Sequence, residues 1–207
     1  VTALLFFTPF ACHRRLVRGH EFWRGSAYFS AIGTAFMFIE MGWIQRLVLL
    51  LGHPSYATTV VLATLLLGAG CGALAASRTR LPIAQRYGLA VPLVIGVLNT
   101  LLTIGGPTLL ALPLGLRIAA TVLLLAPAGF LMGFAFPVGM TRFGDESKAW
   151  YWALNGTFGV LASVSSLALA MLFGFSFVVV LGLVAYLIAA LLIRAPRSEP
   201  MGEPSSN

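Results

Sequence analysis

Residues 27–51 read AYFSAIGTAFMFIEMGWIQRLVLLL, an apolar run that places one carboxylate, Glu40, near its centre. A helix of about 20 such residues crosses the ~30 Å hydrocarbon core of a bilayer. A charge at that depth costs a few kcal/mol, ~2.5 to 3.5 on insertion scales, so such groups face a bundle interior or an aqueous cavity. Glu40 is therefore a site candidate, either as a structural polar tie or as a group that handles a ligand, an ion or a proton. Trp43 follows three residues later on the same helical face. Arg46 is displaced by about 120° around the axis, which makes an intrahelical pairing with Glu40 awkward. Arg46 and His53 are seven residues apart and share a face near the end of the run. A long cationic side chain can reach the headgroups from there, so Arg46 reads as an interfacial anchor.

The rest of the chain extends this reading. Hydrophobic residues make up 59% of the sequence and charged residues only 9%, with mean hydropathy +0.95. No soluble domain of 207 residues is so apolar. The period-two alternation of an outer-membrane barrel is missing, and lipid leaves the helix as the other way to satisfy backbone amides. Seven helices are expected, at about 1–11, 27–51, 56–76, 87–104, 114–136, 150–173 and 175–193. The first is too short to span and reads as the back half of a longer helix. The expected fold is an all-α polytopic transmembrane bundle, six full spans plus a truncated N-terminal helix, occupying residues 1–195. The Pro- and Ser-rich tail 196–207 is expected to be disordered.

Every basic residue except Arg46 and Arg117 falls in one set of alternate connections. Arg14, Arg15, Arg18 and Arg24 lie in the first, Arg78, Arg80 and Arg86 in the next, then Arg142 and Lys148, then Arg194 and Arg197. Positive charge is retained on the cytoplasmic side, which predicts a cytoplasmic C-terminus. The net charge of +7 is then a matter of topology and anionic lipid. Basic residues dispersed over four loops do not make a nucleic-acid surface. Cys12 and Cys71 build neither a disulfide framework nor a metal site.

For Glu40 the candidate partners are Arg117 first, then Asn99 and Asn155. Together with Gln45, Arg46 and His53 they form the intramembrane polar set. Gly68, Gly72 and Ala76, and Gly129 and Gly133, recur at the spacing that lets membrane helices approach closely. Asn155, Gly159 and Ser163 form a polar and small stripe expected to face inward. Pro92, Pro127 and Pro137 permit kinks, and Gly105, Gly106 and Pro107 read as a turn. No phosphate loop, dinucleotide loop or Ser-His-Asp set is present, and His13 and His20 sit in a basic loop. Of six acids, Glu21, Asp145, Glu146, Glu199 and Glu203 read as loop or tail residues, so carboxylates do not pair for acid and base work. No catalytic residues, metal ligands or cofactors are expected.

The order of motifs carries a resemblance. Phe36-Met37-Phe38-Ile39-Glu40 is followed by Ile44-Gln45-Arg46 and by Leu50-Leu51-Gly52-His53-Pro54 with Tyr56-Ala57. Further on come Gly129-Phe130-Leu131-Met132-Gly133, Phe136-Pro137-Val138-Gly139, Trp152-Ala153-Leu154-Asn155-Gly156 and Phe173-Gly174-Phe175. In this order the chain resembles the C-terminal membrane domain of bacterial membrane-bound spermidine synthase-like proteins. The resemblance implies an inner-membrane location and an upstream Rossmann-like domain acting on decarboxylated S-adenosylmethionine and a polyamine. It transfers no catalysis, because no residue here matches that domain's nucleotide loop or acidic polyamine positions. The implied role is a non-catalytic membrane domain that anchors, or assembles with an upstream domain or other membrane subunits. Two alternatives stand beside it: a transporter or channel-like bundle for a small cation using Glu40, and a structural subunit of a larger membrane complex.

Overall fold

The computed structural model describes residues 20–78, 81–144 and 147–194, of which 81–89 by their backbone alone. Six helices follow one another: α1 His20–Leu51, α2 Pro54–Ser77, α3 Leu81–Leu109, α4 Leu114–Phe143, α5 Lys148–Phe173 and α6 Phe175–Arg194. All six are long and apolar enough to cross a membrane, and the chain is a multi-pass α-helical bundle. The expected segment 1–11, the tail 196–207, Cys12, Arg80, Asp145 and Glu146 lie outside the described residues or side chains.

Short connections make successive helices antiparallel. Gly52, at φ 77°, turns the chain between α1 and α2, and Gly174, at φ 86°, does so between α5 and α6. A Cβ would strain both positions, whereas glycine adopts them freely. These two turns and the 110–113 connection lie at one end of the bundle, called here the far end. His20, Arg78, Gly144 and Arg194 mark the opposite, basic end.

Helix α1 is the hub. It packs against α2, α4, α5 and α6, while α2 packs on α4, α4 on α3, α3 on α6 and α6 on α5. Of its most apolar stretch 56% is buried, against 22% for α3 and α5, which places α1 inside and those two at the rim. The ring around α1 closes through four neighbouring pairs and stays open between α2 and α5. The α2–α4 seam is the most extensive contact in the bundle. A Cβ on Gly72 would collide with the Phe130 carbonyl, and one on Gly133 with that of Ala69. Gly129 would meet the Leu65 Cα at 3.1 Å, and Gly68 the Phe130 nitrogen at 3.0 Å. Backbones this close gain the dispersion contacts that hold helices together where lipid removes the hydrophobic drive.

Around the middle of α1 the core is mainly aliphatic, with Ile39 and Leu47 beside Trp43 set among Val61, Leu65 and Leu125. Toward the basic end it becomes aromatic. Phe29 stacks on Tyr151 with ring centroids 4.9 Å apart, and Phe136 stands edge-on to Phe29 at 5.3 Å. Such pairs add ~0.5 to 1.5 kcal/mol each beyond their burial. The outer surface is apolar in turn: Leu67, Leu123, Val164 and Met171 are 72, 79, 72 and 77% exposed. Side chains of that kind on α2, α4 and α5 suit a lipid-facing exterior.

Several expected boundaries shift. Helix α3 continues through Gly105, Gly106 and Pro107 to Leu109, where a turn was expected. Proline there removes one backbone donor, and an apolar environment favours retaining the remaining helical bonds. Pro127 and Pro137 likewise sit inside α4, which runs to Phe143, and α1 is described from His20, about two turns before the expected start.

Candidate functional site

Glu40 lies in the middle of the hub helix, 2% exposed, and its Oε1 is fully enclosed with no hydrogen-bond partner among the described residues. Trp43, one turn further on the same face, is 0% exposed, and its indole Nε1 is equally without a partner there. A buried donor and a buried acceptor thus sit close in the helix without meeting. Each such group costs ~1 to 3 kcal/mol relative to its hydrated state.

None of the expected partners bonds to Glu40 among the described residues, and the expectation is corrected. Arg117 turns to the far end, where its Nε donates to the Leu112 carbonyl at 2.8 Å and its Nη1 to the Leu50 carbonyl at 2.9 Å. Asn99 accepts from Arg46 through its side-chain oxygen at 2.7 Å. Asn155 is half-buried on α5, its backbone carbonyl standing where a Cβ on Gly33 would fall. The geometric reason lies in the register. Glu40 is enclosed well inside the bundle, whereas Arg117 sits in the first turn of α4 and Asn99 some ten residues before the end of α3.

Arg46 also departs from expectation. Its side chain does not run free to the headgroups but ties α1 to α3 and α6. Nη1 donates to Asn99 Oδ1 at 2.7 Å, to Thr103 Oγ1 at 2.9 Å and to the Asn99 carbonyl at 3.3 Å, and Nη2 donates to Ser176 Oγ at 2.9 Å. Thr103 and Ser176 are the partners that sequence reasoning missed. Asn99 and Thr103, four apart on one helix, were the only available signal. His53 is exposed and caps α2, its Nδ1 accepting from the Ser55 amide at 3.2 Å. That is the ordinary use of a polar residue before Pro54. Gln45 is half-buried beside Ser166 at a small void between α1 and α5.

A second polar cluster closes the basic end, also unforeseen. Glu21 accepts from Arg24 Nη1 at 2.6 Å and from Arg142 Nη1 at 3.2 Å, and Arg24 Nη2 donates to the Leu192 carbonyl at 2.8 Å. Both arginines are buried, and one carboxylate joins α1 to α4 while Arg24 joins α1 to α6. The spacing of Glu21 and Arg24 at i and i+3 was readable in the sequence. The arrival of Arg142 from 121 residues away was not.

The described residues line two wide clefts. One, about 590 Å³, occupies the gap between α2 and α5, floored by Gly33, Phe36 and Met37 of α1. The stripe Asn155, Gly159 and Ser163 lines it, so this stripe faces a cleft that is open to the exterior. The other, about 240 Å³, lies beside Arg46 and Thr103 at the far end. Glu40 lines neither. No group of three or more His, Cys, Asp or Glu side chains that could hold a metal occurs among the described residues. Comparison with protein-family models, with curated proteins and with solved structures gives no match.

Proposed function

We propose that this chain is a non-catalytic integral membrane domain that anchors a spermidine synthase-like protein in the bacterial inner membrane and assembles with its other parts, its C-terminus cytoplasmic. The observation that carries the reading is the gap between α2 and α5. Five helices surround α1 with one position vacant, and the cleft there is lined by Gly33, Ala69, Ala73, Gly156 and Gly159. Small residues on every wall suit one more transmembrane helix, since they permit the close backbone approach on which association in lipid depends. The motif order from Phe36 to Phe175 supports the family, and the segregation of Arg and Lys supports the orientation.

The acids support the non-catalytic part. Glu21 is committed to two arginines, and Glu40 has no opening to solvent in either cleft. Aminopropyl transfer needs groups that hold a cationic amine and accept its proton within reach of a bound cosubstrate. Purified chain in lipid nanodiscs should therefore release no methylthioadenosine from decarboxylated S-adenosylmethionine and putrescine above a no-protein control. Turnover abolished by Glu40→Gln would overturn the reading. Movement of a small cation or a proton through the bundle is the second reading, favoured by the enclosed and unpartnered Glu40 oxygen.

A further inference from the structure

We propose that the cleft beside Arg46 binds an anionic phospholipid, the phosphate held by the Arg46 guanidinium and an acyl chain lying along Leu49, Leu102 and Leu110. This goes beyond the anchoring role and does not depend on it. A guanidinium carries five N–H donors. Both Nη1 protons and one on Nη2 are taken by Asn99, Thr103 and Ser176, which leaves Nε–H and the second Nη2 proton without an acceptor among the described residues.

Every acceptor Arg46 has is neutral. The sequence contains no acid between Glu40 and Asp145, nor any from Ser147 to Ser198, so no carboxylate of the described residues stands at the far end. Arg117 adds a second guanidinium there, bonded to the carbonyl of Leu50, one turn beyond Arg46 on α1 and itself part of the cleft wall. Two positive charges at the edge of the hydrocarbon, with donors to spare, call for an anion that presents several oxygens. Phosphate matches the planar fork of arginine.

The remaining lining decides between a free phosphate and a lipid. Apart from Arg46 and Thr103 the cleft is built of leucines with Gly106 and Pro107, and Leu49 and Leu110 are 78 and 49% exposed. A free anion gains nothing from those walls, whereas a phospholipid satisfies the charge and covers the leucines together.

Native mass spectrometry of the full purified chain, titrated with phosphatidylglycerol, diacylglycerol and inorganic phosphate, tests the site. Phosphatidylglycerol should be retained, with diacylglycerol and inorganic phosphate each at least tenfold weaker. Arg46→Gln should weaken phosphatidylglycerol at least tenfold. Because that change also cuts helix ties, Gly106→Leu provides a second route: a Cβ at Gly106 meets nothing within 4 Å, and the added side chain fills the cleft while leaving the Arg46 bonds in place. Undiminished lipid retention in folded Gly106→Leu would overturn the proposal. So would inorganic phosphate or diacylglycerol binding as tightly as the phospholipid.

Discussion

Glu40 and Arg46 stand six residues apart on one helix and show opposite solutions to a polar group in an apolar run. Arg46 reaches three neutral side chains on two other helices and becomes a tie. Glu40 leaves an enclosed oxygen, Oε1, without a hydrogen-bond partner among the described residues. A buried polar group without a partner lowers stability, and an apolar side chain of similar volume removes that cost. Glu40→Met should therefore raise the thermal stability of the purified protein, by about 1 to 3 kcal/mol, read as a higher Tm in detergent by tryptophan fluorescence. A fall in Tm would show that Glu40 holds a stabilising partner. Proteoliposomes separate the two readings of function: unchanged cation and proton leakage in Glu40→Met fits the anchoring role, and lost flux fits passage through the bundle. The position of Glu40 was readable because one charge interrupts a long apolar run, but its surroundings were not. Sequence spacing gives the face of a side chain and says nothing of which residue on another helix arrives opposite, as Arg117, turned instead to the Leu50 and Leu112 carbonyls, illustrates.

At the scale of elements, the α2–α4 seam depends on glycines four residues apart on both helices. Gly72→Ala and Gly133→Ala each place a methyl group on a facing carbonyl, of Phe130 and Ala69, with rigid backbone on the other side. Overpacking of that kind costs ~1 to 3 kcal/mol or more. Gly70→Ala, on the same helix but facing open space, meets nothing within 4 Å and serves as the control. The first two variants should lower Tm and the third should leave it unchanged or slightly raised, since alanine is the better helix former. Equal losses in all three would mean that helix flexibility, not close packing, is what the glycines provide. The existence of the six described helices was legible from length and hydropathy, and so was the small-residue face of α2. Less legible were the ends. Proline and glycine at 105–107 signal a turn in water, yet the helix runs on to Leu109. Gly33, Gly42 and Gly182, which bring α1 against α5 and α6, follow no four-residue repeat that would have marked them.

For the whole molecule, the antiparallel arrangement of the six described helices sorts the polar groups by end. Glu21, Arg24 and Arg142 close the basic end, and Arg46, Arg117 and His53 sit toward the far one. The sequence signalled a basic end through the alternation of basic and uncharged connections, because antiparallel helices bring alternate connections together. It did not foretell that α1 would be central, since every helix is apolar and its burial depends on which neighbours dock. Membrane insertion with the basic end retained inside is the claim on which the rest stands, and accessibility measures it directly. In a background with Cys12→Ala and Cys71→Ala, single cysteines are introduced at two exposed sites at opposite ends, Ser55→Cys and Ala149→Cys. Intact cells are then treated with a membrane-impermeant maleimide. The cysteine at 55 should be labelled at once, and the one at 149 only after the membrane is permeabilised. Labelling at 149 in intact cells, with 55 protected, would contradict the account.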